Sequence, residues 1–266
     1  MPDAYEKFLE DLRKRKGLDL TGYKRPQMER RINSLMRSLK YSDYSAYLEL
    51  MEKELPHWQK FVDTLTINVS EFYRNPTQWE VLQSKVLPEI IARTPSLKIW
   101  SAGCSTGEEP YTLAMVLMNS FPRVPFSLLA TDVDDGVMNK AKAGVYIDKA
   151  LANLPKTYTT RYFTHNDNTY TISDAVKSKI HFAKHNLLRD HFDHNFDLIL
   201  CRNVVIYFTE ESKALLYRNF WQSLKSGGIL FTGSTEQIFQ AREIGFNLVS
   251  SFFYQRDLQQ KLRTSV

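Results

Sequence analysis

Up to residue 96 the apolar positions recur at helical spacing and no strand is predicted. Tyr5, Phe8, Leu9 and Leu12 form one stripe, and Met28, Ile32, Leu35, Met36 and Leu39 form a second behind Pro26, a residue suited to a first helical turn. Tyr44, Tyr47, Leu48 and Met51 form a third, with Ser42-Asp43 ahead of them as an N-cap. Phe61 and Leu65, then Trp79, Leu82, Val86 and Leu87, continue the pattern. The first part of the chain therefore predicts a small helical domain followed by a connecting helix.

From Leu97 the texture changes to short apolar runs separated by amphipathic stretches. Leu97–Ala102, Phe126–Thr131, Ile180–Lys184, Phe196–Cys201, Ile229–Thr232 and Leu248–Gln255 read as strands, with helices at Pro110–Ser120, Asp135–Ala143 and Glu210–Leu224 between them. That alternation predicts a doubly wound α/β domain with a parallel sheet. One segment interrupts it: Tyr162-Phe163-Thr164 and Thr169-Tyr170-Thr171-Ile172 flank His165-Asn166-Asp167-Asn168, the signature of a β-hairpin inserted before the third main strand.

Composition narrows the class. The 266 residues are 43% hydrophobic, enough for a packed core, and are too few for two full-sized domains, which agrees with one main domain and a smaller companion. No run approaches the ~20 apolar residues of a membrane span, and the start, Met1-Pro2-Asp3-Ala4-Tyr5-Glu6-Lys7, has no signal-peptide character, so a cytoplasmic protein is expected. Cys104 and Cys201, the two cysteines, belong to no CxxC pair and read as reduced, small apolar side chains. His181, His185, His191 and His194 lack the Cys or acid that would complete a ligand set, so no metal is expected. The formal charge is +5 and the pI near 9.0, which suits an acidic partner. The basic residues concentrate between Arg13 and Lys40, and on the second helix Arg30 and Arg37 share a face away from the apolar stripe, with Arg25 and Arg31 beside them. A solvated helix face is the plain reading of such residues, and a docking face for something acidic is the functional one.

The first strand ends in Ser101-Ala102-Gly103-Cys104-Ser105-Thr106-Gly107 and runs into Glu108-Glu109-Pro110. A glycine turn at the carboxyl end of a strand in an open sheet lets a ligand approach the backbone. The spacing is not that of a dinucleotide fingerprint, and two glutamates at the helix start would repel a diphosphate. They would accept a cofactor carrying an amino or sulfonium cation, which favours S-adenosylmethionine over NAD. Adjacent glutamates there equally serve the helix dipole and cap. Asp132 ends the second strand, where a carboxylate can accept both hydroxyls of a ribose. Asp134 and Asp135 are nearby, and position favours Asp132. Arg202, Asn203 and Tyr207 follow the fourth strand as pocket candidates, with satisfied core residues as the alternative.

Ile67-Asn68-Val69-Ser70-Glu71-Phe72-Tyr73-Arg74-Asn75, Trp100 to Pro110, Ala130-Thr131-Asp132, Asn186-Leu187-Leu188, Cys201 to Phe208 and Gly233-Ser234-Thr235-Glu236 together resemble the CheR family of chemotaxis receptor methyltransferases. The motifs occur in order along nearly the whole chain. The resemblance implies a helical receptor-binding domain at 1–75, a linker helix at 76–94, and a Rossmann-like, class I S-adenosylmethionine-dependent methyltransferase domain at 95–266 with a small antiparallel β-subdomain at about 158–180. It implies cofactor contacts from Asn68, Ser70, Arg74, Gly103, Glu109, Asp132, Asn186, Leu187, Arg202 and Asn203, and it puts Tyr207 close to the transferred methyl. The implied product is S-adenosylhomocysteine. The implied substrate is the glutamate side chains on the cytoplasmic helices of methyl-accepting receptors, met through Arg25, Arg30, Arg31 and Arg37, by a monomer that neither inserts into the membrane nor binds nucleic acid. The hairpin turn is shorter than the glycine-rich turn of members that bind a receptor tether, so the chain resembles the tether-independent, pentapeptide-independent branch.

A glutamate with a solution pKa near ~4.3 is ionised at neutral pH and needs no strong general base. Catalysis then reduces to holding oxygen, methyl carbon and sulfur in line. Arg74, whose fork matches a carboxylate, and Tyr207 are the positioning candidates. A nucleic-acid methyltransferase would share the basic N-terminal part, and a non-catalytic receptor adaptor would share the fold.

Overall fold

The computed structural model describes residues 3–65 and 70–257. The chain separates into a helical body, Met1–Asn68 with Tyr207–Ala214, and an α/β body, Val69–Ile206 with Leu215–Val266.

In the helical body, α1 (Ala4–Lys16), α2 (Arg25–Ser38), α3 (Tyr44–Lys53) and α4 (Leu55–Leu65) follow the predicted stripes. Asp3 and Glu6 form a reciprocal capping box, with Asp3 accepting the Glu6 amide at 2.9 Å and Glu6 accepting that of Asp3 at 3.1 Å. Asp43 caps α3 through the Ala46 amide at 2.8 Å, as its position before the stripe predicts. Phe8, Leu12, Met28, Ile32, Tyr47, Met51 and Phe61 meet in one core. Residues 207–209 join this body as a strand-like segment. Lys24 donates its amide to the Tyr207 carbonyl at 2.8 Å, Thr209 donates to the Gly22 carbonyl at 2.9 Å, and the Tyr23 and Phe208 rings meet edge-on at 5.0 Å.

The α/β body opens with α5 (Pro76–Val81), a π-helical turn over Leu82–Val86, and α6 (Leu87–Ile91). Pro88 has no N–H to return to Ser84, so the helix widens just before it, and the Leu87 amide reaches back to the Leu82 carbonyl. The strands are β1 (Leu97–Ala102), β2 (Phe126–Asp132), β3 (Val145–Ile147), β4 (Phe163–Asn166), β5 (Thr169–Ile172), β6 (Ile180–Lys184), β7 (Phe196–Cys201), β8 (Leu224–Thr232), β9 (Phe246–Ser250) and β10 (Phe253–Arg256). The intervening helices are α7 (Glu108–Ser120), α8 (Asp135–Ala143), α9 (Lys156–Tyr162), α10 (Asp174–Lys177), α11 (Glu210–Ser223) and α12 (Ala241–Ile244).

Seven strands form one sheet in the order β6-β2-β1-β7-β8-β10-β9, parallel from β6 to β8, with β10 antiparallel to both its neighbours. β1 lies against β2 on one side and β7 on the other, with Ser101 in register with both Ala130 and Leu200. The strand order reverses between β1 and β7, so the helices following them leave toward opposite faces and a crevice opens at the carboxyl ends. β7 is buried along its whole length, and α7 buries every residue from Pro110 to Leu117, consistent with a helix packed on all sides.

Three features differ from the sequence reading. The run Leu248–Gln255 is two antiparallel strands, β9 and β10, turned by Phe252 in a left-handed conformation (φ 70°). Apolar alternation continues through that turn, so periodicity alone does not reveal it. β8 begins at Leu224 and not at Ile229. The predicted hairpin is β4 and β5, with His165 and Asn166 inside the first strand. β3 adds to its other edge and completes a three-stranded antiparallel sheet.

Ile99 sits fully buried on β1 between β2 and β7. Ile99→Ala is expected to destabilise the α/β body by about 2–5 kcal/mol, read as an earlier urea transition of that body by near-UV circular dichroism.

Candidate active site

The crevice is built by the turns that leave β1, β2 and β7. Gly103 has φ +81°, and a Cβ there would lie 2.5 Å from Cγ2 of Val204, so only glycine allows the β1 and β7 turns to approach this closely. The amides of Gly103 and Cys104 both donate to the Thr131 carbonyl, at 2.8 and 2.9 Å, which holds the β1 turn against the end of β2. Ser105 takes a left-handed conformation (φ 48°), and its amide donates to Oδ2 of Asp132 at 2.9 Å. The other oxygen of Asp132 accepts the Asp134 amide at 3.1 Å, while Asp134 itself caps α8. Burial pushes the Asp132 carboxyl up, against the pull of the amides that bind it.

The adjacent glutamates have divided roles. Glu108 is buried and accepts the Thr106 hydroxyl on both oxygens, at 2.8 and 2.7 Å, which is the local, helix-start arrangement. Glu109 points the other way, accepting the Ser101 hydroxyl at 2.8 Å and lying 3.5 Å from Nη1 of Arg202. Burial raises its carboxyl above the usual range, and the neighbouring guanidinium pulls it back.

Arg202 is the hub of this arrangement. Its side chain is 2% exposed, and Nη2 donates to the Arg74 carbonyl at 2.9 Å, to Oε1 of Gln78 at 2.9 Å and to Oδ1 of Asn75 at 3.2 Å. The guanidinium also lies over the rings of Phe231 (4.6 Å) and Trp79 (5.5 Å). Nε is buried with no protein partner, an orphaned donor at the crevice.

The same contacts anchor the segment that carries Arg74. Tyr73 and Asn75 both adopt left-handed conformations (φ 58° and 59°), a costly pair of backbone states that persists only when the surroundings hold it. The Phe72 amide donates to the Ala150 carbonyl at 3.0 Å, the Tyr73 amide to Oγ1 of Thr112 at 3.1 Å, and the indole of Trp79 to the Arg74 carbonyl at 3.0 Å. The Ser70 hydroxyl reaches the Glu108 carboxylate. Asn68 lies outside the described residues. Just beyond the end of β6, Asn186 uses Oδ1 to accept the Leu188 amide at 2.9 Å in a tight turn, and Leu187 is buried.

Tyr207 is placed with the helical body, where its ring lies 5.6 Å from the Arg31 guanidinium. Arg31 also donates to the carbonyls of Thr64 (3.4 Å) and Leu65 (3.2 Å), so it caps the end of α4. Arg25 is engaged by Asp3, by Glu6 at 3.4 Å and by Glu29 at 2.9 Å. Arg30 and Arg37 are exposed on α2. The four arginines thus divide into two that serve the body's own structure and two that face outward.

Gln78 was not a candidate from sequence, because a glutamine on an otherwise ordinary helix carries no signal until Arg202 is placed beside it. Glu236 was visible as the end of the Gly233-Ser234-Thr235-Glu236 segment but without a role. Among the described residues no group of three or more His, Cys, Asp and Glu side chains could hold a metal ion, and no helix is long and apolar enough to cross a membrane.

The sheet order, with its switch point between β1 and β7, is that of an α/β domain that binds a ligand at the carboxyl ends of its strands. The sequence matches the CheR methyltransferase SAM-binding domain over residues 68–252 and the CheR methyltransferase all-alpha domain over residues 3–66, and the chain belongs to that family. Among its relatives, a chemotaxis protein methyltransferase of Listeria monocytogenes is 38% identical over 239 residues, covering 90% of this chain and 91% of that one. Those of Borreliella burgdorferi and Escherichia coli are 34% and 33% identical, covering 84% of this chain and 83% and 80% of theirs.

Removing the guanidinium should leave Glu109 buried without its cation and the side-chain oxygens of Asn75 and Gln78 without this donor. Arg202→Met is expected to cost about 3–5 kcal/mol, and Glu109→Gln in the same chain to restore part of it, measured by urea denaturation.

Proposed function

We propose that this methyltransferase esterifies glutamate side chains on the cytoplasmic helices of chemotaxis receptors, giving glutamate methyl esters and S-adenosylhomocysteine. The observation that carries this reading is the pairing of an acid-lined crevice, suited to a cationic cofactor, with an arginine whose backbone is clamped by the crevice's own hub residue. The relatives' name, chemotaxis protein methyltransferase, supports a protein substrate that acts in chemotaxis.

The residues fit S-adenosylmethionine by charge and by donor type. Glu109 would accept its amino group, Asp132 its ribose hydroxyls, and Ser70, Arg74, Gly103, Asn186, Leu187, Arg202 and Asn203 would line the remainder, with Asn68 assigned by resemblance alone. Bound there, the cofactor would supply an electrophilic methyl on a positively charged sulfur that leaves with the bonding electron pair. The protein's task is orientation. Arg74 turns the incoming carboxylate without having to ionise it, and Tyr207 packs beside the reacting oxygen or donates its hydroxyl to it. No general base is needed.

The proposed division of labour follows the chain. Residues 1–75 meet the receptor, with Arg30 and Arg37 as the outward cations and Arg25 and Arg31 shaping the face. Residues 76–94 link, and residues 95–266 carry the chemistry. The short turn at Asp167-Asn168 supports the tether-independent branch. A cytoplasmic monomer is the simplest form for this task.

With methyl-labelled cofactor and receptor-containing membranes, the protein should transfer label that mild alkali releases as methanol, whereas alkali-stable label would overturn the reading. Arg74→Ala is expected to lower kcat/KM for methyl transfer to receptor membranes about 10²–10³-fold, as for loss of one oriented donor, and to weaken S-adenosylhomocysteine binding as well. The amino group favours ionised Glu109, whose carboxyl is raised in the unliganded protein. Affinity should therefore be full above that raised value and fall as pH drops through it, starting above the usual glutamate range, and Glu109→Gln should flatten the profile in calorimetric titrations.

A further inference from the structure

Glu236 is a buried carboxylate, 3% exposed, that the chemistry above does not use. It lies just beyond the end of β8, and the turns following β7 and β8 leave the sheet from paired residues, Cys201 and Thr232. One oxygen accepts the amides of Asn203 at 2.5 Å and Gly233 at 2.8 Å, and the other accepts the amide of Val205 at 2.9 Å. These three partners are main-chain amides from both turns. A carboxylate bound in this way acts as a pin between two loops, and each charge-assisted bond is stronger than a neutral one. The approach depends on Gly233: a Cβ there would collide with Oε2 of Glu236 and lie 2.9 Å from the Asn203 amide.

The pinned turn is the one that matters for the crevice. Asn203 is held in a left-handed conformation (φ 61°), and Val204 is the side chain against which Gly103 closes. Successive amides turned to one side form a concavity that binds anions. Here a resident carboxylate occupies it. The turn therefore keeps its shape without an external anion, and the negative charge stays beside the crevice.

We propose that Glu236 is a positioning residue for cofactor binding, fixing the Asn203–Val205 turn against the glycine turn after β1. The proposal rests on the cofactor crevice described above and adds a residue to it.

The test compares the parent with Glu236→Gln, Glu236→Asp and Gly233→Ala, titrating each with S-adenosylhomocysteine and following amide hydrogen exchange. Glu236→Gln puts an NH2 group against backbone donors, and Gly233→Ala displaces the intact carboxylate. Both should weaken binding about tenfold or more, raise KM for the cofactor more than they lower kcat, and speed exchange at Asn203 and Val205 while β1 amides keep their protection. Glu236→Asp, which keeps the charge, should recover part of the loss. If either of the first two binds within twofold of the parent with unchanged exchange at Asn203 and Val205, the proposal is wrong. Equal loss of protection across β1 would reduce Glu236 to a folding residue and also overturn it. Failure of the parent itself to bind would instead strike the crevice reading.

Discussion

The α/β body depends on one buried cation. Arg202 leaves the end of β7 into a region with almost no solvent, where an unpaired charge would be prohibitive, and it is accommodated because four acceptors converge on it. Those acceptors come from two parts of the chain, the start of α7 and residues 74–78 around the start of α5. Satisfying one guanidinium thus ties both of them to the end of β7. The carbonyl it holds belongs to Arg74, so the second arginine is placed through its backbone.

Around that hub the polar groups are arranged in opposition. Glu108 and Asp134 bond within their own helix starts, whereas Glu109 reaches Ser101 and Arg202 and Asp132 reaches the Ser105 amide of the neighbouring turn. Each pair consists of near neighbours in sequence. The left-handed residues Tyr73, Asn75, Ser105 and Asn203 cluster at the same place. Such conformations let the chain reverse sharply enough for several amides to face one point, and the dense hydrogen bonding offsets their cost.

Much of this was legible beforehand. The helical stripes, the strand–helix alternation from Leu97, the hairpin and the turn after β1 all follow from periodicity and from glycine. The order of motifs gave the family. What escaped was long-range. β3 has three residues, too few to show alternation, and becomes a strand only because β5 offers it an edge. The Phe252 turn has no glycine to announce it. Gln78 and Glu236 gain meaning only when another turn of the chain is laid against them, and the basic cluster looked uniform until Arg25 and Arg31 were seen paired within their own body.

The clasp between Gly22–Lys24 and Tyr207–Thr209 means that the boundary drawn along the sequence is not the physical one. A short piece from deep inside the methyltransferase sequence is a constituent of the helical body, sharing its main-chain hydrogen bonds and an aromatic contact. The two domains are therefore poor candidates for independent exchange during evolution. A helical domain taken from a distant relative would arrive without the edge that matches residues 207–209, so the clasp and the turn after β7 should be inherited as one module.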